Sequence, residues 1–266
     1  MKLCIAAVFF LSVLVMPAWA QGGLPHDPSD AIHTVAVGLT NSDGLSGTFD
    51  TSTIGTWDEG LGEDGQLHFY YDFASEAGYD VLALDNLTVI GTIYSLNYEA
   101  KPEPQVILNF SCKAGRANTT FSYKSAVSVI PPLTNASARA SASMTLTDNS
   151  VPTNGVFANG NYSGKVYQAR YNTTSVFTNL VSSFSGPSGS PISTENDPLD
   201  GISYRAIPGT ITEMEAEYNF VLQAYDSASG TSNYVILGTP VPEPSSMLAL
   251  ATAMIGLIGF GVKRRR

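Results

Sequence analysis

Cysteine is almost missing from this sequence. Only Cys4 and Cys112 occur in 266 residues. Cys4 lies in an N-terminal leader, so a chain that loses the leader keeps Cys112 alone. A single cysteine makes no internal disulfide, which excludes a disulfide-stapled secreted domain. Stability must come from a packed core, and the roughly 220 residues between the two ends suffice to build one. Cys112 falls in the apolar phase of a strand pattern and reads as a buried structural residue, not a nucleophile.

Basic residues are scarce as well. Between 21 and 240 there are 8 Lys or Arg against 22 Asp or Glu, a net of −14. Gln21 to Ala100 holds 13 acids and no base. Such a surface repels phosphate backbones and argues against nucleic acid as a partner. It suits plain solubility outside a cell, or a surface that gathers cations. Histidine, the commonest general base, is limited to His26, His33 and His68. His26 and His33 lie near the new N-terminus, and His68 is expected on the wet face of its strand. The sequence has no Gly-x-Ser-x-Gly elbow, no His-Glu-x-x-His and no paired-cysteine motif. Serine hydrolysis and zinc chemistry therefore lack their usual anchors.

Two terminal signals are present. Lys2, the apolar run Leu3 to Val15, Pro17 and then Ala18-Trp19-Ala20 before Gln21 compose a secretory signal peptide over 1–20. Ala18 and Ala20 mark the cleavage site, and the partners are the translocation machinery and signal peptidase. At the other end, a Pro-rich linker over 238–246 leads into an uncharged run, Ser245 to Val262, closed by Lys263, Arg264, Arg265 and Arg266. As a helix those 18 residues reach about 27 Å, enough for a ~30 Å hydrocarbon core if the basic residues snorkel. A transmembrane helix over 247–262 is predicted. The basic end at 263–266 stays cytoplasmic, and the folded region lies outside.

Pro242-Glu243-Pro244, the span Met247 to Val262 and the basic Lys263 to Arg266, in that order, resemble the PEP-CTERM sorting tail of exopolysaccharide-producing Gram-negative bacteria. The resemblance implies recognition by an exosortase, cleavage near the motif and release to the cell surface or extracellular matrix. The residues of the tail are then substrate, not catalyst. Without the resemblance, the same tail also reads as an ordinary single-pass anchor behind a stiff proline stalk.

The region 21–237 shows recurring period-two alternation. Leu67, Phe69, Tyr71 and Phe73 share one phase; so do Val106, Leu108, Phe110 and Cys112, and Phe121, Tyr123, Val127 and Val129. Ala136 to Leu146 alternates without a break. Met214, Ala216, Tyr218, Phe220 and Leu222 oppose Glu213, Glu215, Glu217 and Asn219, which are expected to be wet. Val81 to Val89 is apolar in both phases and reads as a central strand. Val176, Phe177, Leu180, Val181 and Phe184 have helical spacing and predict one short helix. Asp43-Gly44, Asp64-Gly65 and Asn159-Gly160 punctuate the strands. The expected fold is all-β, an antiparallel β-sandwich of jelly-roll or immunoglobulin-like type, between a cleavable signal helix and a C-terminal transmembrane helix. The chain could divide near 131–132 or within 185–198.

Candidate sites are few. Asp58, Glu59, Glu63 and Asp64 surround three glycines and could offer oxygen ligands to Ca²⁺, although the spacing is not that of an EF-hand. A solvated acidic turn is the plainer reading. Trp57, beside them, is the best placed ring to stack on a sugar. Glycoside hydrolysis would need two carboxylates roughly 5–10 Å apart in a cleft, which sequence cannot place. The expected function is a non-catalytic, structural surface or matrix protein without a cofactor. A carbohydrate-binding or Ca²⁺-assisted adhesive module of the exopolysaccharide or biofilm matrix is the first alternative, and a polysaccharide-acting hydrolase the second.

Overall fold

The computed structural model describes residues 33–61, 67–85, 87–101, 104–150, 153–187 and 190–241. The expected signal helix over 1–20 and transmembrane helix over 247–262 lie outside them. Among the described residues no helix is long and apolar enough to cross a membrane.

The described residues form fifteen strands: β1 (His33–Asn41), β2 (Ser46–Phe49), β3 (Thr56–Leu61), β4 (Leu67–Leu82), β5 (Val89–Lys101), β6 (Gln105–Ala114), β7 (Thr119–Thr147), β8 (Val156–Gly160), β9 (Lys165–Tyr171), β10 (Ser175–Ser182), β11 (Phe184–Gly186), β12 (Ile192–Asp197), β13 (Arg205–Ala206), β14 (Ile211–Leu222) and β15 (Ser227–Pro240). All pair antiparallel in one sheet, whose main path runs β10-β9-β14-β7-β15-β6-β5-β4-β3. The all-β antiparallel class is as expected. A jelly-roll or immunoglobulin-like strand order is not established; the strands form one continuous, curled sheet.

β7 does the folding over. Its first part, Thr119 to Ser128, pairs with β14, and Thr119 to Val127 pairs with β1 on the other side. Its second part, Leu133 to Thr147, pairs with β15, while β12 and β13 flank it. Pro131-Pro132 falls at the change of partners. Proline donates nothing to a ladder, so it is tolerated where neither neighbour needs its N–H. The prolines read as a division of the chain thus sit inside one continuous strand.

The two parts of the curled sheet face each other across an aromatic core. Phe110 of β6 stacks on Tyr123 of β7 at 4.2 Å between ring centroids and meets Tyr218 of β14 edge-on at 4.9 Å. Phe177 of β10 stacks on Tyr234 of β15 at 5.7 Å. Tyr98 of β5 donates its hydroxyl to the Ala126 carbonyl at 3.0 Å. The alternations around Phe69, Val106, Phe121, Ala136 and Met214 all point their apolar phase inward. The small alanines of β7, Ala136 to Ala142, leave room for these rings.

Three local expectations are corrected. Val176 to Phe184 is not a helix. It is β10 and the start of β11, and Phe177 is the extra residue of a β-bulge against β9. The bulge inverts the parity of the residues after it, so Phe177 and Leu180 are buried together, and Val181, buried beside Leu180, has a left-handed backbone (φ 62°); the spacings imitate a helix. Val81 to Val89 is not a central strand. β4 ends at Leu82, and the Asp85 carboxylate accepts the N–H groups of Leu87 (2.9 Å) and Thr88 (3.0 Å) in a turn. Leu84 and Leu87 are consequently exposed. His68 is buried, not wet: Nδ1 lies 2.5 Å from the Tyr70 hydroxyl and 3.2 Å from Glu99 Oε1, on the neighbouring strand.

Candidate functional site

β3 is the edge strand of the sheet and carries Trp57, Asp58 and Glu59, all exposed. Asp58 and Glu59 are adjacent on the strand, so their side chains point to opposite faces. Glu63 and Asp64 lie outside the described residues. Trp57 is 36% exposed, but much of its ring is engaged. Its indole N–H donates to the Thr51 carbonyl at 2.8 Å, and the ring leans on Tyr71 (5.0 Å) and Tyr98 (6.2 Å). Among the described residues, no three His, Cys, Asp or Glu side chains converge as a metal-binding group.

Sequence reading missed a cleft of about 460 Å³. Asp80 of β4, Thr92 and Tyr94 of β5 and Lys113 of β6 line it, with Arg116 and Tyr225 from two turns. Its two cations make no ion pair with a described residue, although most of the other bases in the sheet do. Tyr225 is half exposed at the rim, held by an N–H donated to the Gly115 carbonyl at 2.9 Å. The cleft therefore offers aromatic faces, hydroxyls and two cations, with the Asp80 carboxylate among them, within an otherwise acidic chain. The sequence signal was the rarity of the bases. What sequence lacked was the meeting of the β6–β7 and β14–β15 turns.

A second missed feature is a buried ionic cluster on the outer face of β14. Glu215 and Glu217, placed on the wet face by their parity, are only 2% and 6% exposed. The ladder sets Glu217 opposite Lys124 of β7, and Glu215 opposite Arg170 of β9. Arg170 hydrogen-bonds Glu217 and lies 2.5 Å from Glu215 Oε2, with no donor aligned on that oxygen. Lys124 Nζ is 3.3 Å from Glu217 and 3.7 Å from Glu215. Tyr162, from the β8–β9 turn, roofs the cluster and donates its hydroxyl to Glu217 Oε2 at 2.6 Å. Burial pushes the Glu215 carboxyl up, against the pull of Arg170 and Lys124. The correction to the expected wet face thus has a definite cause: period two gives parity, and the Tyr162 turn supplies a cover that parity cannot reveal.

The remaining site residues belong to the ends. β15 pairs with β7 as far as Pro240, and the Val241 N–H donates to the Pro132 carbonyl at 2.7 Å. The first three residues of the expected 238–246 linker therefore belong to a strand. Pro242, Glu243 and Pro244, the basic Lys263 to Arg266, and Ala18 and Ala20 lie outside the described residues. By fold and ends together the chain is an antiparallel β-sheet protein whose last strand runs directly into a Pro-rich C-terminal tail. Residues 240–266 match the PEP-CTERM protein-sorting motif. No curated protein and no solved structure matches the chain. A PEP-CTERM tail is what an exosortase recognises, so the chain carries the tail of an exported protein that is sorted, membrane-anchored, toward the cell surface.

Proposed function

We propose that the protein is a non-catalytic structural component of the cell surface or extracellular matrix, delivered there by its sorting tail. The observation that carries this reading is the sorting motif at 240–266, which follows without a spacer from a strand at the heart of the sheet. The buried carboxylates Glu215 and Glu217 are engaged by Arg170 and Lys124, with Tyr162 bonded to Glu217. They support the sheet. Released from its tail, such a sheet presents a broad acidic exterior to the matrix.

The test is export from a host with and without its exosortase. With the enzyme, the protein is expected to lose the mass of its tail and appear in the surface or medium fraction. Unchanged mass and location in the two hosts would sink the reading. A second reading is favoured by the cleft: Tyr94 and Tyr225 with Lys113 and Arg116 suit a carbohydrate that bears acidic groups. Retention on uronic acid-containing polysaccharide, lost in Tyr225→Ala and in Lys113→Ala, would establish that role over a purely structural one.

A further inference from the structure

At one end of the sheet, three segments meet. Asp148 stands just past β7, Asn154 just before β8, and Asp226 just before β15. Their oxygens converge on Ser150. Its Oγ lies 2.6 Å from Asp148 Oδ1, 2.7 Å from Asn154 Oδ1 and 3.5 Å from Asp226 Oδ1. One hydroxyl proton thus faces three acceptors. Other donors supply part of the deficit: the N–H groups of Ser150 to Asp148 Oδ1 (3.0 Å), Gly155 to Asp148 Oδ2 (2.9 Å) and Asn149 to Asp226 Oδ1 (3.0 Å), and the Gln223 carboxamide to Asn154 Oδ1 (2.8 Å). The shortage falls on Asp226. The residue is 0% exposed, its side chain faces this cluster, and its Oδ2 has no hydrogen-bond partner. Neither aspartate forms an ion pair with a described residue.

A buried carboxylate is normally paired with a cation or coordinated to a metal. We propose that Asp148, Ser150, Asn154 and Asp226 form a binding site for Ca²⁺. The donor set is all oxygen, two carboxylates with a carboxamide and a hydroxyl, and has none of the nitrogen or sulfur that selects zinc. Backbone carbonyls and water complete the six to eight ligands that Ca²⁺ takes. Half-buried Asp148 forms the open side. With two carboxylates, the affinity belongs to the ~10⁻⁴–10⁻³ M range of extracellular modules. The site is separate from the acidic turn at Asp58, and it requires neither the sorting reading nor the carbohydrate reading.

The experiment is calorimetric titration of the purified exported protein with CaCl2, with melting curves in Ca²⁺ and in EGTA. The wild type is expected to bind one ion and to melt about 5–10 °C higher when Ca²⁺ exceeds Kd about 100-fold. Asp226→Asn keeps the shape and removes the charge. It is expected to lose the Ca²⁺ response and, in EGTA, to melt at or above the wild type. Asp148→Asn, at the open side, is the second variant; it loses the response and, because its amide nitrogen cannot accept the Gly155 N–H, melts below the wild type in EGTA. The pair Asp58→Asn and Glu59→Gln keeps the full response. A wild type with neither heat nor a Ca²⁺-dependent shift, or an Asp226→Asn variant that responds like it, overturns the site.

Discussion

Arg170 lies between two carboxylates that water scarcely reaches, and the energetics of the outer face of β14 turn on it. Removing one partner of a buried ion pair leaves an uncompensated charge and costs about 3–5 kcal/mol, whereas an exposed pair contributes about 0–1 kcal/mol. Arg170→Met is therefore expected to lower the urea-unfolding free energy by about 3–5 kcal/mol. Lys124→Met, whose ammonium is 47% exposed, should lower it by less than about 1 kcal/mol. Glu215 adds a pH signature. Its folded pKa is raised above the ordinary carboxylate value, so well below that value the group is neutral in both states and costs nothing. As pH rises through the window between the unfolded and the folded pKa, the unfolded chain ionises first and stability falls. Glu215→Gln removes that titration, so its stability relative to wild type should grow with pH across this window, measured by urea unfolding at a series of pH values. An unchanged difference would show that Arg170 fully compensates the burial. Cys112 gives a simpler check. Burial pushes its thiol up to about 12, so iodoacetamide should leave the mature protein unlabelled at pH 8 and label it once in denaturant.

At the level of strands, the aromatic core depends on small residues opposite large ones. Gly230 of β15 sits under the Phe110 ring: a Cβ there would stand 2.4 Å from Phe110 Cε1. Phe110 is held by Tyr123 and Tyr218 and has no free direction in which to yield. Gly230→Ala is expected to cost about 1–3 kcal/mol in thermal or urea unfolding. Gly38 of β1 is the control, since nothing lies within 4 Å of its added Cβ. Gly38→Ala should be neutral or stabilise by up to about 1 kcal/mol. These strands were legible wherever parity was kept, as at Val106 to Cys112 and Met214 to Leu222, because a half-buried strand repeats every two residues. Legibility failed where one residue broke the count or a remote segment added a cover. The bulge at Phe177 imitated a helix, the Asp85 turn interrupted an apolar run, and the Tyr162 turn hid two glutamates. The cleft and the Asp148–Asp226 cluster were illegible for the same reason. Each is assembled from turns far apart in sequence, and strand parity does not record which turns meet.

The whole molecule couples an antiparallel sheet to a sorting tail. β15 is laddered to Pro240 and Val241 is tied to Pro132, and the motif at 242–244 follows directly in the sequence. Changing the motif should alter processing without altering the fold, since the described sheet is complete by Val241. Replacing Pro242, Glu243 and Pro244 by alanine is expected to leave the melting temperature unchanged and to stop conversion to the shorter mature form, read by intact mass. The protein should then accumulate in the membrane fraction, as it would in a host without the exosortase. Deleting Lys263 to Arg266 tests a separate step, because the basic end holds topology by resisting translocation. That variant should be found beyond the membrane with its tail uncut. If both variants behaved alike, the tail would be acting as a plain anchor, and the position of the sorting motif one residue past the last strand bond would have no bearing on where the protein ends.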